Sequence, residues 1–200
     1  MKKFSKKGVL LFAGAIAACA FVLPGVASAA TFGPAGTHHT LSSPNFGFTS
    51  NFLGAGVTSS CTSSSLTSDV ANGNLEITSG SFGGLCTYTS AATGTCTLTW
   101  RPTRFPWTVT APTTSNVQIH GIHIDLRFEQ PRGLNTCTNV NGQDLTFTGT
   151  LTGGRWTGNA AHSLDFSDSE GLVSHSALGV NNPLTVRGFF TDTQETLAVN

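Results

Sequence analysis

The chain has 200 residues, with ten basic and ten acidic side chains and a formal net charge of zero. Every lysine (Lys2, Lys3, Lys6 and Lys7) lies at the N-terminus, so the remainder sets six arginines against ten carboxylates, a net of −4. That balance excludes a basic footprint for nucleic acid or for an anionic membrane surface.

The chain opens on a leader. The four lysines precede a run of apolar and small residues, Val9 to Val22, which Pro24 and Gly25 end. Ala27-Ser28-Ala29 then supplies the small side chains a signal peptidase accepts, so residues 1–29 read as a secretory signal helix removed on export. The apolar run falls short of the roughly 20 residues a bilayer-spanning helix needs. The mature chain is therefore expected to be secreted, without an integral membrane span. Ile16-Ala17-Ala18-Cys19 also has the form of a lipobox, and acylation of Cys19 is the alternative that would keep the domain at the cell envelope.

Residues 30–44 read as a loosely ordered arm, and 45–200 as one disulfide-stabilised β-sandwich domain with its first strand near Asn45. No long stretch after the leader carries helical periodicity; short β-rich runs between Gly, Pro and Asn recur instead. The expected class is all-β, an antiparallel sandwich or barrel-like fold. Strands are expected at Asn74–Phe82, Leu85–Thr89, Cys96–Trp100 and Trp107–Val109. Val117–Glu129 follows, with its apolar parity slipping between Ile119 and Ile122. A β-bulge at His120-Gly121 restores one inward face. Asp144–Thr152 alternates cleanly, and Gly153-Gly154 reads as a turn into Arg155–Thr157. Leu164 and Phe166, Leu184–Phe190 and Thr196–Val199 complete the set.

Cys61, Cys86, Cys96 and Cys137 remain after cleavage, and an even number in an exported chain reads as two disulfides. Three pairings are possible. Cys61–Cys86 with Cys96–Cys137 is favoured because each joins segments that read as neighbouring strands. No two of these cysteines have the close spacing of a zinc site, and no metal or cofactor is expected.

No catalytic motif is present. With the bulge in place, His120, His123 and Asp125 share the outer face of one strand, where two imidazoles and a carboxylate could bind a ligand or move a proton. His162, Asp165, Asp168, Glu170 and His175 form a second polar set, which lacks a nucleophile elbow and EF-hand spacing. Thr146, Thr148, Thr150 and Thr152 form a hydroxyl ladder suited to a flat polar surface. Among the aromatics, Trp107 stands at a strand start where it could meet a sugar ring.

Several pieces carry a family likeness: Cys61-Thr62-Ser63, Ile77-Thr78-Ser79-Gly80-Ser81-Phe82, Leu85-Cys86, Cys96-Thr97-Leu98, Pro106-Trp107-Thr108-Val109 and Leu145-Thr146-Phe147-Thr148-Gly149. In that order, over about two-thirds of the chain, they resemble a class of exported, Cys-paired all-β proteins of high-GC Gram-positive bacteria with no established activity. The resemblance implies a secreted, disulfide-bonded β fold and carries no site residues over. The function expected is non-catalytic: structural, adhesive, or binding to a surface such as a glycan or the cell envelope. An extracellular hydrolase using the His and carboxylate groups and a calcium-stabilised adhesion module are the alternatives.

Overall fold

A computed structural model describes residues 29–52, 55–91, 94–131, 137, 140–158, 160–176 and 181–200. The leader through residue 28, including Cys19, lies outside the described residues. No helix among those described is long and apolar enough to cross a membrane.

The strands, numbered in chain order, form an antiparallel meander that closes on itself. Four staves are single long strands: β4 (Ala55–Ala71), β5 (Asn74–Ser90), β8 (Asn116–Glu129) and β9 (Asp144–Trp156). The other four are each two short strands end to end. They are β2 (His38–Ser43) with β3 (Phe46–Phe52), β6 (Gly94–Pro102) with β7 (Trp107–Thr110), β10 (Ser163–Asp165) with β11 (Ser169–Ser176), and β12 (Asn181–Arg187) with β13 (Phe189–Asp192). Each stave pairs with the next, and β12 and β13 return to β3 and β2. The expected sandwich or barrel-like fold is thus an up-and-down barrel of eight staves, closed by the pairing of its first and last staves.

A barrel of this size is filled by side chains. Phe48 meets Phe147 edge-on at 4.5 Å and Trp100 at 5.5 Å across the interior. The outer face is Thr- and Ser-rich, and among the described residues only Leu85 and Phe189 are large exposed hydrophobics. That is the inverse of a membrane barrel, whose outward band must be apolar.

The bulge in β8 lies where the parity slips. Pairing with β9 shifts between Ile119 and Ile122, and Gly121 takes a φ of +75°. Val117, Ile119, Ile122, Ile124, Leu126 and Phe128 are all buried as a result. The disulfides join Cys61 to Cys86 and Cys96 to Cys137, the pairing favoured from the sequence.

Three sequence expectations are corrected. Residues 30–44 are not a loose arm, for β2 pairs with β4 along its whole length and His39 and Leu41 are buried. Gly153-Gly154 is no turn; β9 runs on to Trp156, and Gly154 lies so close to the Phe166 ring that a side chain there would collide with it. Asn74–Phe82 and Leu85–Thr89 are one strand, β5, whose pairing with β6 shifts between Phe82 and Thr87.

The two ends differ. β1 (Phe32–Gly33) pairs with β14 (Ala198–Val199) across the base, where Phe32, Leu197 and Val199 are buried. The opposite end, at the β3–β4, β5–β6, β8–β9 and β11–β12 connections, opens into a cleft.

Candidate functional site

The residues singled out on β8 hold strands together. Thr103, in the break between β6 and β7, hydrogen-bonds His123 Nδ1 at 2.9 Å and donates to Asp125 at 3.3 Å. Asp125 also accepts from Thr146 at 2.9 Å. His120 bridges Thr110 on β7 at 3.0 Å and Thr150 on β9 at 3.5 Å. His123 and Asp125 therefore meet around Thr103, while His120 serves a separate bridge. Among the described residues, no group of three or more His, Cys, Asp or Glu side chains could hold a metal ion.

The threonine ladder of β9 is likewise committed. Thr146 and Thr150 serve Asp125 and His120, Thr148 pairs with His175 at 2.8 Å, and Thr152 donates to the Glu170 carbonyl. The second polar set is dispersed. His162 bonds the Leu197 carbonyl at the base, His175 bonds Asn181, and Asp165 accepts from the Ser167 N–H. Trp107 is 2% exposed, its Nε1 donating to the Thr103 carbonyl at 3.0 Å, so it offers no face to a ligand. It alternates inward with Val109, which makes it core.

The cleft at the open end has a different chemistry. Phe48, Val57, Phe128, Leu145, Phe147 and Leu184 line it, with Tyr88 and Val140 beside them. Burial pushes the Tyr88 phenol above its ordinary pKa, against a smaller opposing pull from a hydrogen bond with Ser90, so the ring stays neutral. Two serines of the wall turn their hydroxyls away: Ser50 donates to the Pro183 carbonyl at 2.8 Å and Ser174 to the Asn182 carbonyl at 3.3 Å. The wall is thus mostly hydrocarbon, with Gln143 and the Tyr88 hydroxyl as further polar groups of the lining.

The cleft encloses about 400 Å³ with its open mouth included. Its walls stand close, leaving clear space for little more than a water-sized group. Cys137 and Val140 lie on the connection between β8 and β9, and Val140 borders the cleft. The Cys96–Cys137 disulfide ties that connection to β6, and backbone bonds from Val140, Asn141 and Gly142 to Cys137 and Phe128 shape it.

A family model described as alkane oxidation protein activator PraA/PraB-like matches residues 1–173. The chain belongs to that family. No curated protein and no solved structure matches it.

This PraA/PraB-like barrel also holds a buried constellation that sequence reasoning missed. Near the base, His39 and Asp192 are both fully enclosed, with Nδ1 donating to Oδ2 at 3.1 Å. The other ring nitrogen hydrogen-bonds the Thr37 hydroxyl at 2.7 Å. Asp192 accepts from the backbone N–H groups of Gln194, Thr196 and Leu197 at 3.3, 3.0 and 2.9 Å. Burial alone would raise the Asp192 pKa, but these bonds and His39 outweigh it and hold the carboxyl below its ordinary value. Thr37, His39 and Asp192 have the order of a nucleophile, base and orienting acid, but the Thr37 hydroxyl donates at 2.6 Å to the Pro34 carbonyl, which commits its proton elsewhere. The sequence signal was the parity of His39 with Leu41.

Proposed function

We propose that the chain is an exported, non-catalytic accessory barrel that takes a single apolar chain into its open end. The observation that carries this reading is the hydrocarbon wall of the cleft, with the hydroxyls of Ser50 and Ser174 turned onto backbone carbonyls. Binding sites for small molecules are mostly apolar concavities with few polar groups. The family's description as an activator of alkane oxidation supports both parts: an activator need not be an enzyme, and a hydrocarbon is the ligand such a wall suits. A soluble barrel that shields a hydrocarbon chain would raise its availability in water. Two disulfides and the leader support export, since such bonds persist outside a reducing cytosol. Because the cleft is narrow, entry requires the Phe48 and Leu145 side chains to rotate, and a linear chain fits better than a branched or cyclic one.

The test uses the mature chain and the fluorescent probe cis-parinaric acid, a linear polyene chain. The probe should bind with enhanced emission and be displaced by n-hexadecane. Leu145, half-buried at the cleft, becomes a charged gate in Leu145→Arg, which is expected to weaken binding at least tenfold. Leu85→Ser, on the outer wall, should bind as the parent does. Equal affinity of Leu145→Arg and the parent would sink the reading. Export has its own measurement. N-terminal sequencing of protein recovered from the medium should begin at Ala30, whereas an acylated chain beginning at Cys19 would replace release with tethering.

A further inference from the structure

The outside of a barrel is convex, yet one part of this one is hollow. Two adjoining concavities run along the outer face of β3, β4 and β12, one of about 1280 Å³ and one of about 680 Å³ with open solvent included, and they share Thr58. Glycines make the hollow. Gly47, Gly56, Gly171 and Gly188 lie along it, where other residues would raise side chains. At Gly47 any side chain would collide with the backbone of Ser59, and at Gly171 with that of Thr150.

The walls mix hydroxyl and amide groups with hydrocarbon from Val57, Leu172, Val173, Pro183 and Leu184. Thr185, Thr49 and Thr58 are direct cross-strand partners, and the row continues through Thr89 to Thr95, one threonine from each of five neighbouring strands. Thr89 and Thr95 share a hydrogen bond. Asn51 and Asn45 stand at the two ends of the hollow. Charge is limited to Glu170 in one concavity and Arg187 in the other, so the trough is neutral along its middle. At the Arg187 end Phe189 is 43% exposed.

We propose that this trough binds a neutral, linear carbohydrate, with Phe189 as the platform for one sugar ring. An open furrow whose largely uncharged walls mix hydroxyl, amide and hydrocarbon groups suits a ligand that offers both hydroxyls and C–H faces and carries no charge. An exposed aromatic ring that borders the furrow supplies a flat apolar face for the C–H side of a pyranose. Neither nucleic acid nor an anionic lipid is matched, because the trough holds a single arginine offset by a glutamate. The trough shares strands with the apolar cleft, and Phe48, Ser50, Val57 and Leu184 border both.

The experiment is affinity electrophoresis of the mature protein in native gels cast with hydroxyethyl cellulose, glycol chitin or yeast mannan, with sedimentation velocity in parallel. At least one polysaccharide should retard the parent. Phe189→Ala should weaken that retardation at least tenfold, and so should Thr58→Arg, which fills the trough from an exposed position. Leu85→Ser, at an exposed position outside the trough, should be retarded as the parent is. The proposal fails if none of the three retards the parent, or if both trough variants are retarded undiminished. A dimer that Phe189→Ala dissolves, without polysaccharide binding, would assign the trough to a second copy of the chain and equally overturn it.

Discussion

Asp192→Ala is expected to cost about 3–5 kcal/mol of stability, because several buried donors lose a carboxylate acceptor, at about 1–3 kcal/mol each. For a chain of this size that lowers the melting temperature by about 10 °C. The loss is large because the carboxylate closes several accounts at once. Without it, the N–H groups of Gln194, Thr196 and Leu197 and the ring Nδ1 of His39 lose their acceptor in a site water does not reach. Asp192→Asn is expected to fall between. With its oxygen in the place of Oδ2 it keeps the bonds to Thr196, Leu197 and His39, but it loses the charge and turns an NH₂ toward Gln194.

The pH dependence has a definite sign. The folded Asp192 pKa lies below the ordinary 3.8, so its contribution is complete above that value and is lost as pH falls through the folded pKa. Thermal unfolding from pH 7 down to pH 2 checks both points. The parent should lose this stability only below about pH 4. Asp192→Ala should start lower and lack that part of the acid-side fall.

The Cys96→Ala/Cys137→Ala double variant is expected to lose about 4 kcal/mol, since the bond closes a loop with a sequence separation of 41. The corresponding Cys61–Cys86 change, with a separation of 25, should cost about 3.5 kcal/mol. Both changes free the unfolded chain, so chemical denaturation is the appropriate measurement. The two should differ locally. Cys61 and Cys86 are direct partners within the long β4–β5 pair, where neighbouring ladder bonds hold the strands in place. Cys137 instead anchors the connection that brings Val140 to the cleft. Loss of Cys96–Cys137 should therefore speed amide exchange at Val140 to Gln143, while loss of Cys61–Cys86 should leave that turn protected.

Much of this barrel was legible where alternation was strong. The parity slip in β8 needs one extra residue, and Gly121 supplies it. The cysteine pairing followed from strand adjacency. Alternation failed in β4, the most heavily paired strand, because Ser59, Ser64 and Ser68 occupy inward positions and blur the contrast with the outer face. β2 was hidden for a related reason: its inward set is His39, Leu41 and Ser43, and only the leucine announces burial. Trp107 illustrates the converse, since an aromatic at a strand start is free to meet a ligand or to turn inward, and here it is buried with its N–H satisfied by the Thr103 carbonyl.

The cleft was invisible because its residues come from every stave except β6/β7, scattered from Phe48 to Leu184. Each looks like ordinary core within its own strand. Only closure of the barrel, set by β12 and β13 returning to β3 and β2, gathers them at one end. The polar residues of β8 drew attention for the opposite reason. They stand close in sequence, yet the fold spends them on stitching β6 and β7 to β8 and β9.

The apolar cleft as the working site is tested most directly by methyl NMR of the mature protein titrated with n-decane. The methyl resonances of Val57, Val140, Leu145 and Leu184 should shift together and saturate. Those of Leu75, Val109 and Leu197, toward the closed base, should stay in place. Shifts confined to the base or the outer wall, or none at the cleft as decane reaches its solubility limit, would contradict the account.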